Sequence, residues 1–112
     1  MQAGRLNQRV RIMNFTSTRT PSGQPQQTWH DGSEIFAEIK GISGREIISA
    51  GAELAEATIR VWVRFRNDIT AASKLKVLTG PYKGQYLDVT GPPVADSKGT
   101  QLEILCKQGV KP

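Results

Sequence analysis

The segment Ala57–Arg66 is the strongest constraint on what this chain can fold into. Ile59, Val61, Val63 and Phe65 fall on one side of an extended backbone, and Thr58, Arg60, Trp62, Arg64 and Arg66 on the other. A strand turns successive side chains to opposite faces, so this period of two, rich in β-branched and aromatic residues, predicts a half-buried strand with no competing helical reading. The same alternation recurs in shorter form. Val10 and Ile12 interleave with Arg9 and Arg11. Ile35, Ala37 and Ile39 oppose Phe36, Glu38 and Lys40. Leu75 and Val77 mark a further strand, and Gln85–Thr90 reads as its return across the turn Gly80-Pro81-Tyr82-Lys83-Gly84. Leu102, Ile104 and Cys106 alternate with Gln101, Glu103 and Lys107, which places Cys106 on the buried face as a packed core thiol.

Between these runs the chain is punctuated. Thr16–Gln27 is almost wholly Thr, Ser, Gly, Pro and Gln and reads as a loop, His30-Asp31-Gly32-Ser33 reads as a turn, and Gly91-Pro92-Pro93 stops a strand. The expected class is mainly β: about six strands in a small antiparallel barrel, closed because closure removes exposed edges. One long excursion breaks the pattern. Ser43-Gly44-Arg45-Glu46 fits a capping box, and Ile47, Ile48, Ala50, Ala52, Leu54 and Ala55 follow. The alanines favour helix while Gly44 and Gly51 weaken it, so Ser43–Glu56 is expected to leave the barrel as a long, partly helical loop.

The 112 residues suit one domain, 1–112, with a modest core, and leave little surface for a deep catalytic cleft. One histidine and one cysteine fall short of a structural zinc site, and the acidic residues show no calcium-loop spacing, so neither metal nor cofactor is expected. His30 beside Asp31 has no nucleophile placed with it, which argues against an enzyme. A single cysteine excludes an internal disulfide and fits a reducing cytoplasm. Met1–Leu6 carries no apolar run after its charge and no stretch is long enough to span a bilayer, so neither a secretory signal nor membrane contact is expected.

The formal net charge of +5 raises nucleic acid or an acidic protein surface as partners. The stripe Arg60, Trp62, Arg64 and Arg66 admits two readings. Guanidinium groups with an interleaved aromatic grip phosphates and stack bases. Arginine and tryptophan are equally the residues of protein–protein hot spots. For the excursion, Arg45 and Glu46 could pair between neighbouring copies, with Ile47, Ile48 and Leu54 as contact residues, or Glu46 could simply cap a local turn.

An ordered set of motifs resembles the phage head–tail joining family, whose members are also called head-completion, head–tail adaptor or stopper proteins. It comprises Met1-x-Ala3-Gly4-x-Leu6-x-x-Arg9-Val10-x-Ile12, Pro21-Ser22-Gly23 leading to Trp29, Phe36 through Glu46 ending in Gly-Arg-Glu, Arg64-Phe65-Arg66 before Ile69-Thr70, and Leu102 through Lys107. Phe36 stands where tryptophan is common, Thr20 where aspartate is expected, and Tyr82–Asp88 matches only loosely. The resemblance implies a small β-barrel with a long loop. It would form a ring on the portal or its connector adaptor, close the DNA-filled head and offer the tail proteins a surface, with non-specific contact to packaged DNA. Such a protein resides in the virion at the head–tail interface, after assembly in the host cytoplasm. A free nucleic-acid-binding barrel and a minor tail-completion subunit are the alternatives.

Overall fold

The computed structural model describes residues 6–42 and 57–112. Seven strands follow in chain order: β1 (Gln8–Arg19), β2 (Pro25–Gly41), β3 (Ile59–Arg64), β4 (Lys74–Val77), β5 (Tyr86–Val89), β6 (Val94–Ala95) and β7 (Gln101–Gly109). All pair antiparallel in one sheet of order β3-β2-β1-β4-β5-β7-β6, and an additional β3–β7 ladder joins its two sides. Six strands thus close into a ring, and the two-residue β6 lies outside it against β7. The mainly β, antiparallel architecture expected from the sequence is the one observed. The excursion Ser43–Glu56 lies outside the described residues.

The alternation explains the core. Ile59, Val61 and Val63 of β3 are buried, and so are Leu102, Ile104 and Cys106 of β7. β1 contributes Val10 and Ile12, and β4 and β5 contribute Leu75, Val77, Leu87 and Val89. Burial pushes the Cys106 thiol up to about 12, with the Asp88 charge adding to the effect, so at neutral pH it is a protonated core residue.

Three sequence expectations need correction. The Thr/Ser/Gln stretch is not a loop: β1 runs on to Arg19, and only Thr20–Gln24 turn before β2 begins. Gly23 takes a positive φ of 86° there. His30–Ser33 is likewise no turn. It lies within β2, where the register passes from Arg11↔Glu34 to Met13↔Asp31, so Gly32 and Ser33 together oppose Ile12 as a β-bulge. A Cβ on Gly32 would stand 2.7 Å from the Ile12 carbonyl oxygen, which explains why the position is glycine. Phe65, expected inward, follows the last residue of β3 and is 49% exposed.

The connection from Arg64 to Lys74 is held by side chains. Ser73 is buried, and its hydroxyl donates to Asn14 Oδ1 while accepting from the Thr70 N–H at 2.9 Å. The Asn14 amide donates to the Asp68 carbonyl at 2.8 Å, and Ile69 packs into the core. Replacing Gly32 with valine is expected to lower the free energy of unfolding by about 1–3 kcal/mol, the usual cost of overpacking, as read by chemical denaturation. A variant as stable as the parent would show that the bulge can open.

Candidate assembly surface

Outward residues of β2, β3 and β7 form one continuous face. The register sets Trp62 between Glu38 of β2 and Glu103 of β7, and Arg60 between Lys40 and Leu105. Arg64 stands opposite Gln101. The Arg60 guanidinium lies 5.7 Å from the Trp62 ring centroid and the Lys40 ammonium 6.0 Å from it. Arg60 Nε is also 3.8 Å from Glu103. The indole is therefore already engaged by cations and flanked by carboxylates, an arrangement poorly suited to stacking a base.

The four residues of the stripe divide. Arg60, Trp62 and Arg64 share the β3 face as expected. Arg66 lies past the strand end and makes a two-pronged pair with Asp68, at 2.9 Å on each prong. That pair raises the Arg66 pKa and holds the Asp68 carboxyl below its ordinary value, in each case chiefly through the side-chain hydrogen bond. Arg64 is exposed, and its side chain has no ionic or hydrogen-bonding partner among the described residues. The proposed contacts at Ser43, Gly44, Arg45, Glu46, Ile47, Ile48 and Leu54 lie outside those residues.

Two pockets flank the stripe. One of about 250 Å³ is lined by Glu34, Ile35, Phe36, Arg64 and Arg66. The other, of about 180 Å³, lies among Trp62, Val94, Ala95, Asp96, Gln101 and Glu103. Phe36 is 59% exposed and Val94 65%, so each pocket carries an uncovered apolar group beside charged ones. Sequence reasoning did not single out Phe36 as a site residue. The signal was present, because the alternation places Phe36 on the outward side with Glu38 and Lys40. Val94, beyond two prolines, left no such periodic trace.

The His30–Asp31 pair does not form an orienting couple. Nε2 of His30 meets the Thr16 hydroxyl oxygen at 3.0 Å, whereas Asp31 faces Arg11 at 3.8 Å. Among the described residues no cluster of three potential metal ligands occurs, and no helix is long and apolar enough to cross a membrane.

The model of the phage head completion protein family matches residues 1–109. The chain belongs to this family. It is 59% identical, over 111 residues and 99% of each chain, to head completion protein gp7 of Enterobacteria phage HK97. The solution structure of protein SF1141 from Shigella flexneri 2a matches with a TM-score of 0.86 and 44% identity over the whole of both chains. A chain from the virion of a native gene transfer agent particle shares the fold, with a TM-score of 0.65 at 18% identity over 96% of this chain and 98% of that one. The resemblance read from the ordered motifs is thus a true kinship.

The Arg66–Asp68 pair and the Asp96 turn predict a direction of acid sensitivity. Asp96 accepts from the Thr100 N–H and hydroxyl, each at 2.8 Å, and these bonds hold its carboxyl below the ordinary value. For both aspartates the folded pKa lies below the unfolded one, so their contribution is fully present above the unfolded value of about 3.9 and is lost as pH falls through the folded values. The melting temperature should be flat on this account near neutrality and decline below about pH 4, and Asp68→Asn should flatten part of that decline. An Asp68→Asn melting profile parallel to the parent's across the acid range would contradict the assignment.

Proposed function

We propose that this chain is a head–tail joining subunit: copies form a ring on the portal connector of a DNA-filled head, close it, and present the tail attachment surface. Membership of the head completion family supports the place in the virion. The observation that carries the mode of action is the β2–β3–β7 face. It combines exposed Phe36, an exposed Arg64 whose side chain meets no partner among the described residues, a half-buried Trp62 and balanced charges around it. Apolar and aromatic groups ringed by charges of both signs fit a protein partner, and arginine and tryptophan are the usual anchors of such contacts. Arg60, Trp62, Arg64 and Arg66 are assigned to this contact. Ser43, Gly44, Arg45, Glu46, Ile47, Ile48 and Leu54 are assigned to it on sequence grounds alone. The free chain is a monomer or a weak oligomer, and the connector templates the ring.

Complementation of a phage lacking its own copy tests this reading. Phe36→Ser combined with Arg64→Glu should change stability by less than about 1 kcal/mol, as surface changes do, yet leave DNA-filled heads without tails in electron micrographs. Tailed, infectious particles from the double variant would show that this face takes no part in joining.

Contact with packaged DNA is a secondary role in this proposal. Several cations are already committed within the chain: Arg9 and Arg11 to Glu34, Lys74 to Asp88 and Arg66 to Asp68. The remaining cations neutralise few phosphates, so fluorescence titration should show weak, sequence-independent binding that vanishes at moderate salt. Tight binding in physiological salt would instead favour the nucleic-acid module.

A further inference from the structure

The joining face makes no use of the hairpin formed by the distal halves of β1 and β2. The β1–β4 ladder covers only Val10–Met13, and the β2–β3 ladder begins at Ala37. Among the described residues, 14–19 and 25–30 pair only with each other. They form a two-stranded arm on a molecule whose extents are 48 × 30 × 29 Å. Such a ribbon is marginally stable alone, and each of its open edges is a template for another strand. Its base is held firmly. Phe15 and Trp29 meet with ring centroids 5.0 Å apart and planes tilted by 53°, and Lys74, itself bonded to Asp88 at 2.6 Å, sits 5.6 Å from the Trp29 ring.

The backbone shows which groups the edges offer. The Thr20 N–H donates to the Gln24 carbonyl at 2.8 Å, which makes Thr20 and Gln24 a hydrogen-bonded pair. Antiparallel alternation then directs the N–H and C=O groups of Asn14, Thr16 and Thr18 toward β2, and those of Phe15, Ser17 and Arg19 outward. Arg9 obeys the same parity, its carbonyl accepting from Leu78 on the side away from β2. Along β2 the outward positions are Pro25, Gln27 and Trp29. Pro25 therefore removes no bond within the arm and blunts only the tip of the β2 edge.

Charge is nearly absent from the arm. Residues 14–30 contain only Arg19 and His30 as titratable side chains, in a chain of net charge +5. The lysines that usually guard open edges are missing. Identical copies can therefore bring these ribbons together without mutual repulsion.

We infer that in the assembled ring the arms of neighbouring copies pair edge to edge, the β1 edge of one receiving the β2 edge of the next. The inference rests on the ring reading above and specifies how the copies hold one another. Each arm has one edge on either side, and the two run in opposite directions. A neighbour rotated about the ring axis offers its β2 edge antiparallel to the β1 edge, at the same height, and closure of the circle satisfies every edge. Pairing of two β1 edges would leave both β2 edges open and could not repeat around a ring. Neighbours at equal height set Ser17 against Gln27 of the next copy, echoing the Ser17–Gln27 pair within each arm.

The test uses joined particles complemented with a mixture of Ser17→Cys chains and Gln27→Cys chains, because the two positions face each other within one arm and would cross-link there, and treated with a short bis-maleimide that tolerates a two-residue slip. Buried Cys106 does not react. The mixture should give covalent dimers, and each single variant alone none. Dimers from Ser17→Cys alone would overturn the cyclic arrangement in favour of β1–β1 pairing. Joined particles whose mixture gives no such dimers would overturn arm pairing while leaving the ring reading intact. Absence of the wild-type chain from joined particles would overturn the ring reading and the pairing with it. Ser17→Pro gives an independent check, because it removes only an outward N–H. Unchanged melting with a loss of plaque titre supports the inference, and an unchanged titre overturns it.

Discussion

The ladder between β3 and β7 is the contact on which the rest of the structure depends. It joins Ile59–Arg64 to Gln101–Cys106, residues far apart in sequence, and turns an open sheet into a ring. Without it β3 and β7 would each keep an open edge, and the alternating apolar residues of both would lose their shared interior. β3 and β7 supply six of the buried side chains through this pairing, so hydrogen bonding and core formation are one event here. The cost is topological. Closure must await distant partners, which makes folding of such a domain slower than that of a helical one of its size.

Closure also fixes the face of β2, β3 and β7. Once β3 sits between β2 and β7, its inward residues are consumed by the core, and Arg60, Trp62 and Arg64 can only point out. The neighbouring strands then supply carboxylates on both sides of the indole. A stripe that is strongly basic when read along one strand becomes a balanced surface when read across three. The structural chemistry of the face thus depends on pairing partners more than on the strand that carries its most conspicuous residues.

That contrast explains what the sequence could and could not tell. Each core strand was legible, because a period of two needs only local information. The class followed from the number of such strands, and closure from the need to remove exposed edges. The bulge at Gly32–Ser33 was not legible, since Gly-Ser after His-Asp has the chemistry of a turn and only the opposing Ile12 carbonyl shows that the strand continues. The arm failed for a related reason. Thr, Ser and Gln resemble a loop when no apolar side is present, yet β-branched threonines sustain a ribbon that pairs with no third strand among the described residues. Phe65 and Arg66 were assigned by extending an alternation past Arg64. Ring closure ends there, because the Phe65 N–H turns to Thr100 and the chain leaves for the Asp68–Ser73 connection. Arg60, Trp62 and Arg64 share one outward face as their alternation implied, and the same parity places Phe36 outward.

The division of charge within the molecule has a physical logic of its own. The body carries nearly all the ionisable groups and pairs many of them across neighbouring strands, as Arg9 and Arg11 with Glu34 and Lys74 with Asp88 show. The arm carries almost none. Exposed ion pairs contribute little to folding, so their concentration on the body is better explained by discrimination between partners than by stability. A ribbon with so little charge gains little from electrostatic steering, and its recognition must come from backbone groups that every copy shares. Surfaces that meet different proteins benefit from charge patterns, whereas surfaces that meet their own copies must avoid placing like charges together. The body and the arm of this small domain differ in just that respect, the one rich in charge and the other nearly without it.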